Sequence, residues 1–486
     1  MEENIIFNNP PQNEGGGEPP PGDEAPVEDT ESEISDTPTG IRGIFAKLTN
    51  TLTKKICIGV GVVVVLIIVV ILILPKQFRG KDVTLVWWGL WEDNAVMQSL
   101  TDDFEKQNPS IKIKYIKQDP EKYRDILITR INNGSGPDIF RYHNTWVPML
   151  SSILAPLPQD VIKSEDFKKA YYPVIQNDLT QNGAIYGIPL GIDSLALFVN
   201  MSLLKAADIS VPKDWNQFVD AVKKMTVKDK DTYEIQTAGT ALGTYGNIMH
   251  APDIVSMMFL QQGADLKKIT LEKDDLSAAL VFYTVFARGE DRVWENPREF
   301  ILGNSQLAFA KGQLAMYFGF SWDIFAIEQL KAKNNFKYEI YPVPGLVGGK
   351  SQTIASYWVE GVSSKSKNQT EAMLFMHYLT QKATLEKFYT EASKTRLFGE
   401  PYPRVDMADK LKDNSLVYPF ISQLNNAGSS YFASDTHDGD TGLNQRANTY
   451  LENAINAIVN NNSSVDSEVT GLQEGVGVIL KENGIQ

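Results

Sequence analysis

The sequence predicts an α/β body of about 400 residues, of a size for two lobes, carried behind a single membrane-spanning helix. Three features predict it. An uncharged apolar run, ICIGVGVVVVLIIVVILIL, begins at Ile56 and ends at Leu74, and about 20 such residues in a helix cross a bilayer core. Strand-like and helix-like patterns alternate after it, as βαβ units with a parallel sheet require. The chain beyond the run is also longer than one hydrophobic core usually serves.

Residues 1–40 hold eleven Asp or Glu and no Lys or Arg. They are rich in Pro and Gly and too poor in apolar residues to fold alone, so a disordered acidic tail is expected. Residues 41–55 form a basic juxtamembrane segment with Arg42, Lys47, Lys54 and Lys55. Lys76, Arg79 and Lys81 follow the span. The positive-inside rule then gives a single-pass plasma-membrane protein, N-terminus cytoplasmic and body extracytoplasmic. The long stretch ahead of residues 56–74 argues for an uncleaved anchor over a signal peptide. Residues 75–81 are a linker spanning at most about 25 Å, which keeps the body near the bilayer.

The body opens with a strand, DVTLVWW. A helix follows with Val96, Met97, Leu100 and Phe104 on one face, stopped by Asn108 and Pro109. IKIKYI alternates as a half-exposed strand does. A helix from Glu121 to Asn132 ends at GSGP, and a short strand starts at Asp138. AIYGIPLGIDSLALFVN, after Gly183, reads as a strand crossing between lobes, and YEIYPVPGLVGG at 338–349 as a second crossing. Further helices are expected over 215–225, 252–262, 276–287, 324–333, 370–380 and 443–459.

Several chemistries are excluded by what the chain contains. Of the net charge of −14, −11 lies in residues 1–40, leaving −3 for the rest, which lacks the basic surplus of a nucleic-acid binder. Cys57 is the only cysteine and His143, His250, His377 and His437 are the only histidines; no HExxH or GxSxG occurs. GLVGGKS fails phosphate-loop spacing because Pro344 stands where glycine is needed, and DTHDGDTG does not match a calcium loop. No catalytic residue, metal or cofactor is expected.

Five segments, in order, resemble the family 1 extracellular solute-binding proteins of ABC importers, the maltose-binding-protein-like receptors. They are VTLVWWGLWED with DDFEKQNPSIKI; GSGPDIF with RYHNTWVPML and LAPLP; YGIPLGIDSLALFVNMSLL with PKDWNQFVDAVKKM; FAKGQLAMYFGFSWDI; and YPVPGLVGG with WVEGVSSKSKNQTEAMLFMHYL. The resemblance covers residues 82–486. It implies a two-lobed periplasmic-binding-protein-like fold with a hinge and an interlobe cleft, lobe I at about 82–191 and 344–398, lobe II at about 192–343 and 399–486. It also implies a carbohydrate ligand, ABC permease subunits as partners, and closure by hinge motion. The membrane anchor through Ile56 to Leu74 departs from lipid-anchored and free relatives, and so keeps a sensor or adhesion receptor of the same fold open as the alternative. An enzyme on this scaffold, such as a glycosidase or lyase, has only the abundance of carboxylates behind it.

Sugars offer flat C–H faces and hydroxyls, so their sites combine aromatic walls with carboxylates and amides. The resemblance points to Trp322 in GFSWD, to Tyr357, Trp358 and Glu360 in SYWVEG, and to Asp193 and Ser194 after the first crossing. Trp91 and Glu92 follow the first strand; Trp88 serves either cleft or core. Asp138 serves either as a loop and strand cap or as a contact. Tyr142, Asn144 and Trp146 follow it, and Arg396, Asp435 and Asp438 are further candidates. Trp215 starts a helix and reads as packing.

Overall fold

Alternating residues build the first sheet. The computed structural model describes residues 82–265, 267, 273–295, 302–331, 336–349 and 351–485. The tail, the juxtamembrane segment, the span at residues 56–74 and the linker lie outside them. The chain divides into Met1–Phe78 and Arg79–Gln486, and every described residue belongs to the second unit. No helix among the described residues is long and apolar enough to cross a membrane.

In β1 (Val83–Gly89) Leu85 and Trp87 are buried while their neighbours are more exposed, the period-two pattern of a strand with one covered face. α1 (Asn94–Gln107) buries Val96, Met97, Leu100 and Phe104 at helical spacing. Asn108 ends it by donating its backbone and side-chain N–H to the Phe104 carbonyl, and Pro109 cannot continue it. β2 (Ile111–Lys117), α2 (Tyr123–Asn132) and β3 (Ile139–His143) complete the unit. Gly134, at φ +70°, turns the chain out of α2.

The chain continues through β4 (Leu154–Ala155), β5 (Ile188–Pro189), β6 (Asp193–Ser194) and β7 (Ala196–Asn200). Then come β8 (Val227–Lys228), β9 (Ile235–Thr240), α3 (Ala251–Gln261), β10 (Leu314–Gly319), β11 (Tyr338–Tyr341), β12 (Ala355–Ser356) and β13 (Trp358–Ser363). α4 (Gln369–Leu379), α5 (Lys382–Ala392), α6 (Leu443–Asn461) and α7 (Val465–Glu482) follow. One sheet has the order β2-β1-β3-β13-β4, with β5 also on β13; the other has β8-β9-β10-β7-β11. Both are mixed. β1 is parallel to β2 and β3, and β9 to β10, while β13 and β7 run antiparallel to their partners. The parallel pairs are the expected βαβ units; the antiparallel strands are those delivered by the chain passing between the two sheets.

That passage is short. β6 pairs antiparallel with β12, Ala355 opposite Ser194 and Ser356 opposite Asp193. Nearby, the Ile192 amide donates to the Pro401 carbonyl at 3.0 Å. The second crossing therefore lies at 355–356 rather than at 338–349. The YEIY segment is instead the edge strand β11, paired with β7.

Candidate ligand-binding cleft

Open α/β sheets bind ligands beyond the carboxyl ends of their strands, and three such ends meet here. After β1, Gly89 lets the ring of Tyr115 lie against the backbone; a Cβ there would meet Tyr115 Oη at 2.3 Å. Tyr115 Oη donates to the Glu92 carbonyl at 3.2 Å, fixing the loop that presents Trp91 and Glu92. After β10, Phe320, Ser321 and Trp322 form a tight loop. Asp323 pins it, accepting from the Phe320 amide at 3.0 Å and from Tyr317 Oη at 3.0 Å. Asp193 of β6 accepts the Ser321 amide at 2.7 Å and the Ser194 amide at 2.7 Å. The two-residue crossing is thus tied to the aromatic loop.

The cleft between these segments has a volume of about 450 Å³, within the range of small-ligand pockets. Its walls are aromatic. Trp91, 39% exposed, meets Trp358 edge to face at 5.5 Å and His437 at 5.3 Å. Beneath Trp358 lie His143 at 5.2 Å and Trp146 at 5.6 Å. Across the cleft, Trp322 stacks on Phe320 at 4.3 Å with 10° between the planes. Phe325 stacks on Phe398 at 4.8 Å, with the Arg396 guanidinium 5.7 Å above Phe325. Arg396 pairs with Glu400.

Below Trp91 lies a buried charge triad. Arg141 pairs with Glu92 and with Glu360, donating from Nε to Glu360 Oε1 at 2.7 Å. Trp87 Nε1 donates to Glu360 Oε2 at 2.7 Å. Burial raises the Glu360 carboxyl above its usual value, against the attraction of Arg141. Burial also depresses His143 to about 3, aided by His437, and lowers His437, so the imidazoles among the tryptophans are neutral.

The sequence profile of the family described as Bacterial extracellular solute-binding protein matches residues 99–398. The chain belongs to that family. The Multiple sugar-binding protein of Streptococcus mutans is 22% identical over 380 residues, covering 71% of this chain and 83% of that protein. The sugar-binding protein MalE from Xanthomonas citri matches the fold with a TM-score of 0.66 at 20% identity, over 82% of this chain and 98% of its own. MalE from Listeria monocytogenes, in complex with maltose, gives 0.65 at 18% identity, over 82% and 98%. The architecture is thus the α/β periplasmic-binding-protein fold.

Of the residues singled out by sequence, this solute-binding protein brings Trp91, Glu92, Asp193, Trp322, Tyr357 and Trp358 to the cleft wall, together with Asp435 and Arg396. The others stay off it. Asp138 precedes β3 at the far end of the sheet, where it accepts from the Val86 amide at 2.9 Å and from Ser366 Oγ at 2.5 Å. Tyr142 pairs with Val359, between Arg141 and His143, so it points to the opposite face; its hydroxyl donates to the Tyr186 carbonyl. Trp88 alternates with the buried Trp87 and lies against Tyr123 at 6.5 Å. Ser194 is fully buried, donating to the Phe420 carbonyl at 2.7 Å. Trp146 is fully buried under Trp358, and Glu360 behind Arg141.

Asn144 and Tyr357 share a partner, donating to Asp178 Oδ2 at 2.8 Å and 2.7 Å. In DTHDGDTG, Asp438 caps α6 by accepting from the Asn444 amide at 2.6 Å. Among the described residues no cluster of metal-ligating side chains occurs. Trp215 is packed, edge to face on Phe218 at 5.2 Å. Sequence reasoning missed Phe325, Phe398, His437 and Met249, which line the cleft.

The loop carrying Trp322 is also coupled to a buried histidine. His250 Nε2 lies 2.8 Å from Asp323 Oδ2, and its Nδ1 lies 3.6 Å from Asp435. Burial opposes its protonation, but Asp323, Asp435 and Asp253 outweigh that and lift His250 to about 9. Burial pushes Asp193 up to about 8. In both cases the folded protein keeps a proton that the unfolded chain has released. His250 contributes fully below its ordinary 6.5 and loses that contribution as pH rises through about 9; Asp193 acts in the same direction. Urea unfolding is therefore expected to show stability falling between about pH 6.5 and 9, with His250 supplying up to about 3 kcal/mol. His250→Gln should flatten part of the slope. A wild-type profile that is level across this window would refute the assignment.

Proposed function

We propose that the protein is a membrane-anchored, extracytoplasmic carbohydrate-binding protein that closes on a sugar or oligosaccharide and delivers it to ABC permease subunits. The observation that carries this is the aromatic cleft, with Trp91 and Trp358 on one side and Trp322 on the other, interleaved with Glu92, Asp193 and Arg396. Indole faces suit the C–H faces of pyranoses, and the polar groups suit hydroxyls. The names of the similar proteins point to the same ligand class. Lobe I takes residues 82–191 and 344–398, and lobe II residues 192–343 and 399–486. The β6–β12 pair is the hinge, and closure brings the two aromatic walls onto the ligand. Residues 56–74 anchor the body, with the acidic tail on the cytoplasmic side.

The test is a thermal-shift screen of the full chain in detergent against mono- and oligosaccharides, polyols and amino acids. A ligand at 100 times its Kd adds about 2.7 kcal/mol of stability, so a true cargo raises Tm visibly. Shifts confined to saccharides are the expected result. A shift with amino acids alone, or none in the panel, would refute the carbohydrate assignment.

A further inference from the structure

We propose that the cargo is an extended, non-anionic oligosaccharide that runs from the aromatic cleft into a second compartment, where Tyr245 supports its further units; this rests on the carbohydrate function above. The second compartment has a volume of about 930 Å³, about twice that of the cleft. The two share Met249, Asp435 and His437, so they adjoin along these three side chains. Met249 is exposed despite its size, and its unbranched thioether can yield to a passing chain. The compartment is built by the turn entering α2, the segment after β9 and the segment before α6.

Its chemistry differs from that of the cleft. Apart from His437, Tyr245 is the one aromatic ring among the described residues that line it, and it is half-buried. Burial, with the charges of Glu452 and Asp253 near it, raises the phenol well above its ordinary pKa, leaving a neutral ring with a hydroxyl donor. Asn448 donates from Nδ2 to the Ala433 carbonyl at 2.8 Å, while its buried Oδ1 has no partner among the described residues. Among the described residues six carboxylates (Glu121, Asp125, Asp435, Asp438, Asp440 and Glu452) line the space against Lys122, with Arg124 paired to Asp125 and His250 facing Asp435 from outside the lining, which leaves the wall net negative. Carboxylates accept from neutral hydroxyls, but their summed field repels uronates and phosphorylated sugars. A linear glycan repeats the same unit at each step, so one molecule can satisfy an aromatic ring in each compartment.

The test is titration calorimetry of the full chain in detergent with di- and tetrasaccharides of the malto, manno and cello series and with tetragalacturonate. One neutral tetrasaccharide is expected to bind about tenfold tighter than its disaccharide, and tetragalacturonate not at all. Tyr245→Ala should return the tetrasaccharide to the disaccharide's affinity while leaving the disaccharide unchanged. Because Tyr245 is half-buried, the exposed pair Glu121→Lys and Asp440→Lys gives an independent measurement, in which tetragalacturonate binding becomes detectable. Equal affinity for the two lengths, or a tetrasaccharide indifferent to Tyr245→Ala, overturns the inference while the carbohydrate function stands. Failure of every saccharide of either length overturns both.

Discussion

Trp322→Ala is expected to weaken sugar binding by about 30-fold, roughly 2 kcal/mol, as a buried aromatic anchor does. The ring is held before any ligand arrives. Phe320 covers one face at 4.3 Å, and the edge of His250 approaches at 6.3 Å. The backbone around it is fixed twice, at Phe320 by Asp323 and at Ser321 by Asp193. Little ordering is then left to be done on binding, and contact energy appears as affinity. Trp322 is half-buried and borders the cleft, so its loss costs less stability than loss of a fully enclosed tryptophan such as Trp146. Titration calorimetry beside a melting curve separates the two effects. An unchanged Kd with an intact melting transition would remove Trp322 from the site.

What could be read from the sequence depended on whether local pattern or distant pairing set each feature. β2 was legible because Ile and Lys alternate over its length, and α1 because its apolar residues recur at helical spacing. The second crossing was not. β12 is two residues long, too short for any period, and exists only through its pairing with β6. YEIYPVPGLVGG has the apolar content and the Pro and Gly of a crossing, which is why it looked like one. α7 was hidden by Gly471, Gly475 and Gly477, which lower helix propensity. Gly475 is there because a Cβ would meet the Tyr450 ring at 2.1 Å, a fact visible only once α6 and α7 are packed.

The site divides in the same way. Trp322 and Trp358 are reached through the resemblance of GFSWD and SYWVEG to the family, and Trp91 as an aromatic that follows the first strand beside Glu92. Trp88, open between cleft and core, packs against Tyr123, and Tyr142 fails on parity. One residue along a strand reverses the face, and the register of β3 on β13 decides which face looks into the cleft. Phe398 and His437 lie far along the chain from the strands they face, and only their neighbours Arg396, Asp435 and Asp438 mark those segments.

Arg141→Met is expected to destabilise the protein by about 3–5 kcal/mol, the usual cost of removing one partner from a buried ion cluster. Arg141, Glu92 and Glu360 are all nearly or fully buried, and the triad carries two carboxylates on one guanidinium. Without Arg141, two desolvated carboxylates confront each other with the Trp87 indole N–H and little else, and one must take up a proton. Glu360→Gln is the discriminating control. It keeps the Arg141–Glu92 pair and an acceptor for Trp87, and removes the surplus negative charge, so its cost should be small. The pH dependence carries the same signature. Because the Glu360 carboxyl is raised in the folded state, the wild type loses stability as pH climbs from its unfolded value through the folded one, and Glu360→Gln should lack that component. Arg141→Lys keeps the charge but not the forked geometry that reaches both carboxylates, and should fall between the two. Urea unfolding of the four proteins at several pH values tests the balance. Similar midpoints for Arg141→Met and wild type would mean that solvent reaches the triad. Glu92 is also part of the cleft wall, so this charge balance beneath Trp91 supports both the fold and the binding surface, and Arg141→Met should weaken sugar binding as well.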